Sequence, residues 1–158
     1  MKTYNRPLTA IGLLSCLALA AAAPAHSQVI ERIDAAGLQA IAIGLGHQVT
    51  NTTMTDDGQP ILTANSGRMN YLLAGTVCES GQCQGLLSEI IFNDTPVSLE
   101  VINQINQNYA AIKVVYLEGD SVVFSRYDVL NGGTTMGALS TSVSTLLDVA
   151  GAIVQSNE

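Results

Sequence analysis

The sequence predicts an α+β domain in which an antiparallel sheet packs against helices. Segments with the two-residue period of strands come in pairs joined by short turns, which is typical of antiparallel hairpins. Segments with the helical period precede, separate and follow these pairs. No strand–helix–strand unit repeats, as a parallel sheet would require. The predicted order is therefore α-β-β-β-β-α-β-β-α.

The start of the chain has the pattern of a secretory signal peptide. Two basic residues precede an apolar run from Leu8 to Ala23, and small residues follow it. We expect residues 1–27 to be removed, with cleavage after Ala25 or Ser27. A single domain of residues 28–158 then remains in the periplasm or outside the cell.

Two other interpretations of this segment stay open. A transmembrane anchor is the first, although the apolar run is short for a span of about 20 residues. The second is a lipoprotein signal, because Leu13-Leu14-Ser15-Cys16 resembles a lipidation box. Only lipidation of Cys16 would attach the protein peripherally to a membrane.

The charge of the predicted mature chain argues against two classes of partner. Removing the two basic residues of the leader leaves four basic and 13 acidic residues, a net charge of −9. Nucleic acids and anionic membrane surfaces select basic proteins. We therefore expect no nucleic acid partner.

The first half of the domain is predicted to hold one helix and four strands. Asp34 is the expected N-cap of a helix through Leu45, which Gly46 ends. The four strands are predicted at His47 to Thr55, Pro60 to Ala64, Arg68 to Val77 and Gln84 to Phe92. Two sets of side chains are each expected to share one face of the sheet, namely Tyr71, Leu73 and Val77 in the third strand and Leu86, Ile90 and Phe92 in the fourth.

The second half begins with a helix that follows Asn93-Asp94-Thr95. We expect Asp94 or Thr95 to cap it, with Pro96 in its first turn and Ser98 as the weaker alternative cap. Its buried stripe is predicted to consist of Leu99, Ile102, Ile105 and Tyr109.

Two strands and a long helix complete the domain. The strands are predicted at Ala111 to Leu117 and Ser121 to Leu130, around an acidic-glycine turn. Thr134 or Thr135 is expected to cap the last helix, which runs to about Val154. Its apolar stripe is expected to lie on the sheet, and a homodimer interface on the same helix is the alternative. The stripe comprises Met136, Leu139, Val143, Leu146, Ala150 and Ile153, widened by Leu147 and Val154.

The pair Cys78 and Cys83 is predicted to form a structural disulfide across a short turn. A redox-active dithiol usually has two residues between its cysteines, and here there are four. A metal site would need further soft ligands, and His47 is the only histidine after the leader. We therefore predict no metal site and no cofactor.

No catalytic set is predicted. His47 lies at a helix-to-strand junction, where a solvated or capping role is expected, and no G-x-S-x-G motif is present. Asp56 and Asp57 lie in a turn, where acidic residues serve turn geometry. The alternative that stays open is a small hydrolase or redox enzyme that uses Cys78 and Cys83 or His47.

Asn106 is predicted to be a structural polar anchor. An asparagine near the buried face of a helix most often bonds to the backbone of a neighbouring strand or loop and fixes the helix there. A ligand contact is the alternative role.

The segment after Cys83 resembles the YbjN domain family. The residues that carry the resemblance are PVSLEVINQINQNYAAIKVVYLEGDSVVFSRYDVLNGGTTMGALSTSVSTLLDVAGAI, and the match extends over Ile33 to Ile153. In that family the second helix carries an aliphatic run that ends in a characteristic Asn, here Asn106. The chain departs from the family at Ile105, where an aromatic residue is common.

The resemblance implies a fold like that of type III secretion chaperones and a role in bacterial sensory transduction. It implies no catalytic residues. We therefore expect a non-catalytic exported protein that binds an envelope protein or peptide. A structural envelope component without a ligand is a further alternative, and a homodimer is left open because chaperones of the related fold are commonly dimers.

Overall fold

The computed structural model describes residues 28–93, 95, 97–117 and 121–155. The predicted signal peptide, its cleavage sites after Ala25 or Ser27, and Cys16 lie outside the described residues. The same holds for Asp94, Pro96 and the turn of residues 118–120.

The described residues form a six-stranded antiparallel sheet, a two-stranded sheet and three helices. In chain order the elements are β1 (Val29–Ile30), α1 (Ala35–Gly44), β2 (Gln48–Met54), β3 (Pro60–Asn65), β4 (Asn70–Glu79), β5 (Gln82–Phe92), α2 (Leu99–Asn108), β6 (Lys113–Leu117), β7 (Ser121–Val129), β8 (Thr134–Thr135) and α3 (Met136–Gln155). The large sheet has the strand order β2-β3-β4-β5-β7-β6, and β1 pairs with β8. The predicted fold class and order are confirmed, with β1 and β8 as two short additions.

One face of the large sheet carries the core. Helix α1 packs on β2, β3 and β4, α3 packs on β5 and β7, and the two helices contact each other. Side chains that alternate along the strands point into this layer, because successive residues of a strand face opposite sides of the sheet. Leu62, Leu73, Leu86, Ile90 and Val122 are among the largest of the fully buried side chains.

Helix α1 begins and ends as its sequence predicts. The Asp34 carboxylate accepts a hydrogen bond from the Gly37 N–H at 2.9 Å. This bond, with help from the Gln82 amide, holds the pKa of Asp34 below its ordinary value although partial burial opposes the shift. Gly46 has φ +75°, the left-handed conformation that ends the helix.

Val77 differs from the two residues with which it was predicted to share a side of the strand. Tyr71 and Leu73 are buried, but the side chain of Val77 is 66% exposed. Its φ of +52° is a left-handed conformation that β-branched residues rarely adopt. The regular strand conformation is therefore broken at this residue, just before the Cys78–Cys83 pair.

Helix α2 starts later than predicted. Its N-cap is Ser98, whose hydroxyl accepts from the Val101 N–H, while the Thr95 hydroxyl donates to Asn93. Of its predicted stripe, Ile102 and Ile105 are buried. Leu99 and Tyr109 at the two ends are exposed, because this short helix lies at the β6 edge and only its middle faces the core.

Helix α3 buries the predicted stripe within the chain. Its residues from Leu139 to Ile153 pack on the sheet, and Thr135 caps the first turn by accepting from the Ala138 N–H. By length and composition α3 could cross a membrane, but its apolar side chains belong to the core. No described contact tests the predicted dimer interface on this helix.

Candidate functional site

The face of the large sheet opposite the helices is apolar and open. We call it the open face. Four of its side chains, Ile91, Leu117, Tyr127 and Val129, are between 45% and 64% exposed. Register places them beside the half-buried Leu72, Leu87 and Val115 and the buried Val123 on the same face. Contiguous exposed apolar patches are a feature of interaction surfaces.

A groove of about 650 Å³ crosses the open face over β5, β7 and β6. Its floor is formed by apolar side chains such as Leu87, Ile91 and Val123, and residues 110–112 form one end. The polar side chains in its lining are those of Glu89, Lys113, Ser125, Arg126 and Tyr127. This composition suits an apolar segment better than a small polar substrate.

Tyr127 is fixed on the open face by Gly85 and Thr76. The Thr76 hydroxyl donates to the Tyr127 hydroxyl at 3.2 Å, and the ring lies over Gly85. A Cβ at position 85 would collide with this hydroxyl, so glycine is required for the contact. The open face thus presents an aromatic side chain that is already oriented.

Cys78 and Cys83 form a disulfide at the tip of the β4–β5 hairpin, with an S–S distance of 2.11 Å and a Cα–Cα distance of 3.9 Å. Ser80 and Gly81 form the turn with φ of +52° and +77°, as a type I′ hairpin requires. Two backbone hydrogen bonds to Ile33 cover the other side of Cys83, which is fully buried. An incoming thiol therefore cannot reach Cys83, and only the sulfur of the half-buried Cys78 is open to attack.

Asn106 connects α2 to the outer edge of β6. Its side-chain amide donates to the Val114 carbonyl at 2.9 Å, and its side-chain oxygen accepts from the Val114 N–H at 2.8 Å. Val114 is 2% exposed, so water does not replace these bonds. The side chain thus occupies the positions where a neighbouring strand would pair.

His47 is half-buried at the C-terminal end of α1, where its backbone N–H donates to the Ala42 carbonyl at 3.0 Å. Its Nδ1 lies 2.9 Å from the Tyr71 hydroxyl, and the two rings meet edge to face. Burial raises the pKa of Tyr71 to about 12. Within the described residues no serine hydroxyl bonds to His47, so the hydrolase alternative lacks its nucleophile–base contact there.

A polar network beneath α3 has no counterpart in the predictions. The Arg126 guanidinium donates to the Ser142 hydroxyl and to the Ala111 carbonyl, and Ser142 donates to Asp128. Period-two alternation along β7 assigns Arg126 and Asp128 to the core face. It does not show which helix residue forms hydrogen bonds with their side chains. Ser142 was the missed signal, because it interrupts the apolar face of α3 at a buried position.

Metal ligation gains no support in the described part of the chain. No three side chains of His, Cys, Asp or Glu come together there as a ligand set. The open face and its groove are thus the feature with the clearest binding character.

The comparison with protein families decides the assignment of the chain. The model of the YbjN family, described as "Putative bacterial sensory transduction regulator", matches residues 27–154. The chain belongs to the YbjN family. The match spans every described strand and helix up to the last turn of α3, and the resemblance seen in the sequence is confirmed. No curated protein and no solved structure matches this YbjN chain significantly.

Proposed function

We propose that this YbjN chain is an exported, non-catalytic regulatory module that binds an apolar segment of an envelope protein or peptide on its open face. The observation that carries the proposal is the open face itself, where large apolar side chains stay exposed beside a 650 Å³ groove. Covering such a surface contributes roughly 25 cal/mol for each Å² of apolar area removed from water.

Two features support the non-catalytic part of the proposal. The family description names a regulator. The side chains that an enzymatic role would use are also engaged elsewhere, with His47 bonded to Tyr71 and the two cysteines joined at the hairpin tip.

Export is supported by the leader pattern of residues 1–27 and by the disulfide. Disulfide bonds persist in oxidising compartments and are rare in the cytosol. Cell fractionation and the intact mass of the purified protein test this part directly. Recovery of the full 158-residue chain from the cytosol with free thiols would contradict it.

The binding role is tested with two matched isoleucines. Ile91 lies on the open face and is 50% exposed, whereas Ile43 lies on α1 and is 64% exposed. A photocrosslinking residue is placed at one or the other position in the full chain, which is expressed in bacteria. We expect an adduct with an apolar segment of another envelope protein from position 91 but not from position 43.

A second variant guards against nonspecific capture. With the crosslinker at Val129, also on the open face, Ile91→Lys should abolish the adduct and Ile43→Lys should leave it unchanged. If position 91 yields no reproducible protein adduct, the chain is a structural envelope component rather than a binding module.

A further inference from the structure

A polar cleft lies on the helix side of the large sheet. Its volume of about 460 Å³ is within the range of small-molecule sites. Its walls are the C-terminal half of α3, the turn between β3 and β4, and His47 just after α1. No residue that lines this cleft also lines the groove of the open face. The cleft is therefore a separate feature of the domain.

Two opposite charges line the cleft without neutralising each other. Arg68 and Asp148 are both exposed, and neither belongs to an ion pair among the described residues. The Asp148 carboxylate accepts a long hydrogen bond of 3.5 Å from the Ser144 hydroxyl. Arg32 and Arg126, in contrast, are each paired with an acid. The Arg68 guanidinium thus remains available to a ligand.

His47 adds an oriented donor to the same cleft. Its Nδ1 lies 2.9 Å from the hydroxyl of Tyr71, a buried side chain with no other hydrogen-bond partner in the described part of the chain. Burial raises the pKa of Tyr71 to about 12, so the hydroxyl keeps its proton and donates a hydrogen bond to Nδ1. The imidazole hydrogen is then on Nε2. A ligand in the cleft would meet an N–H on a ring that Tyr71 holds in place.

Gly151 gives the cleft room at the expense of α3. Glycine weakens the interior of a helix relative to alanine. A Cβ at position 151 would lie 3.5 Å from the Met69 Cε, which is an ordinary contact, so packing does not require a glycine there. Both residues line the cleft, and a side chain at position 151 would occupy part of its volume. The glycine therefore preserves space for something other than the core.

We propose that the cleft binds a small zwitterion with one carboxylate and one ammonium group, the charge pattern of a free amino acid or a short peptide. Arg68 binds the carboxylate, which the planar guanidinium matches in geometry, and His47 Nε2–H donates to it. Asp148 binds the ammonium group. A simple anion is disfavoured, because Asp148 lines the same cleft and the chain carries a net charge of −7. A simple cation is disfavoured by Arg68.

Isothermal titration calorimetry tests the proposal on the protein purified as cells produce it. The probes are each common L-amino acid, dialanine and trialanine, at millimolar concentration. The peptides present the two charges at increasing separation, so the tightest probe distinguishes an amino acid from a short peptide. We expect saturable binding of at least one probe. Acetylating its amino group or amidating its carboxylate should weaken binding about 10-fold or more, because each change removes one charge-assisted contact.

Two variants assign the charges of the cleft to the two ends of the probe. Arg68→Gln should weaken binding about 10-fold and remove the preference for the free carboxylate over the amide. Asp148→Asn should weaken it similarly and remove the preference for the free amine over its acetylated form. Both side chains are exposed, so neither change should lower the melting temperature. Arg32→Gln is the matched control, because it removes the same charge from an exposed arginine outside the cleft.

Gly151→Ala separates the cleft from the fold. It should raise the melting temperature through helix propensity and weaken binding of the probe. Failure of every probe to bind overturns the inference, as does binding that is unchanged in Arg68→Gln, Asp148→Asn or Gly151→Ala. The proposed function is tested apart from it, because Ile91 lies outside the cleft. A chain that binds the zwitterion but gives no adduct from position 91 contradicts that function alone.

Discussion

Replacing Asn106 by alanine should destabilise the domain by about 2–3 kcal/mol. The substitution removes two hydrogen bonds, which contribute roughly 1 kcal/mol each. It also leaves the buried N–H and C=O of Val114 without partners, which costs a further increment of at most about 1 kcal/mol. For a chain of this size that loss corresponds to a fall in melting temperature of roughly 10 °C. The cost arises at the edge of the sheet, because among the described residues only Asn106 joins the middle of α2 to the middle of β6 by side-chain hydrogen bonds.

Urea denaturation followed by circular dichroism measures this loss as a lower midpoint with an unchanged slope. Asn103→Ala is the control, since Asn103 lies on the same helix but is exposed. Alanine there should raise stability by a few tenths of a kcal/mol through helix propensity. Equal midpoints for the two variants would refute the reasoning, and intact stability with lost partner binding would assign Asn106 to a ligand contact.

Three further measurements test other parts of the fold. Reducing the bond between Cys78 and Cys83 should cost about 2 kcal/mol in the chain-entropy model, because the closed loop is short, and the oxidised protein should weigh about 2 Da less than the reduced form. Tyr71 should titrate late by absorbance at 295 nm, near pH 12, so its contribution to stability is complete below pH 10.0 and is lost as the pH rises through 12. Ser142→Ala should lower the free energy of unfolding by about 1–3 kcal/mol, whereas Ser88→Ala should raise it, because the Ser88 hydroxyl is buried without a partner among the described residues. If both substitutions change the free energy of unfolding in the same direction, the roles given to the two serine hydroxyls are wrong.

The sequence predicted best those elements whose periodic apolar residues are buried along the whole length of the element. Helix α3 buries its stripe because it packs on β5 and β7 and against α1. Helix α2 shows the limit, since its apolar residues have the right spacing but its ends extend past the core. Its cap could not be chosen from sequence either, because Thr95 and Ser98 both offer a hydroxyl and only the path of the chain decides between them.

The candidate site was less predictable than the fold. Alternation along β5 and β7 shows that Leu87 and Tyr127 share a face, but it does not show whether a layer covers that face. Glu89 and Lys113 lie on either side of Ser125 because of the register between the strands. That register cannot be read from the sequence of any one strand. Disulfide placement was easier, because the two cysteines flank a turn only a few residues long.

The two edges of the large sheet explain why we place the binding surface on its face. A partner that adds a strand needs a row of unpaired N–H and C=O groups at an edge. At β6 the Val114 groups that point outward are held by Asn106. At β2 a bulge at Thr50 interrupts the regular pairing of the strand, and bulges of this kind hinder edge-to-edge association. Both edges thus resist strand addition, while the open face keeps large apolar side chains in water, and a partner gains most by covering that face.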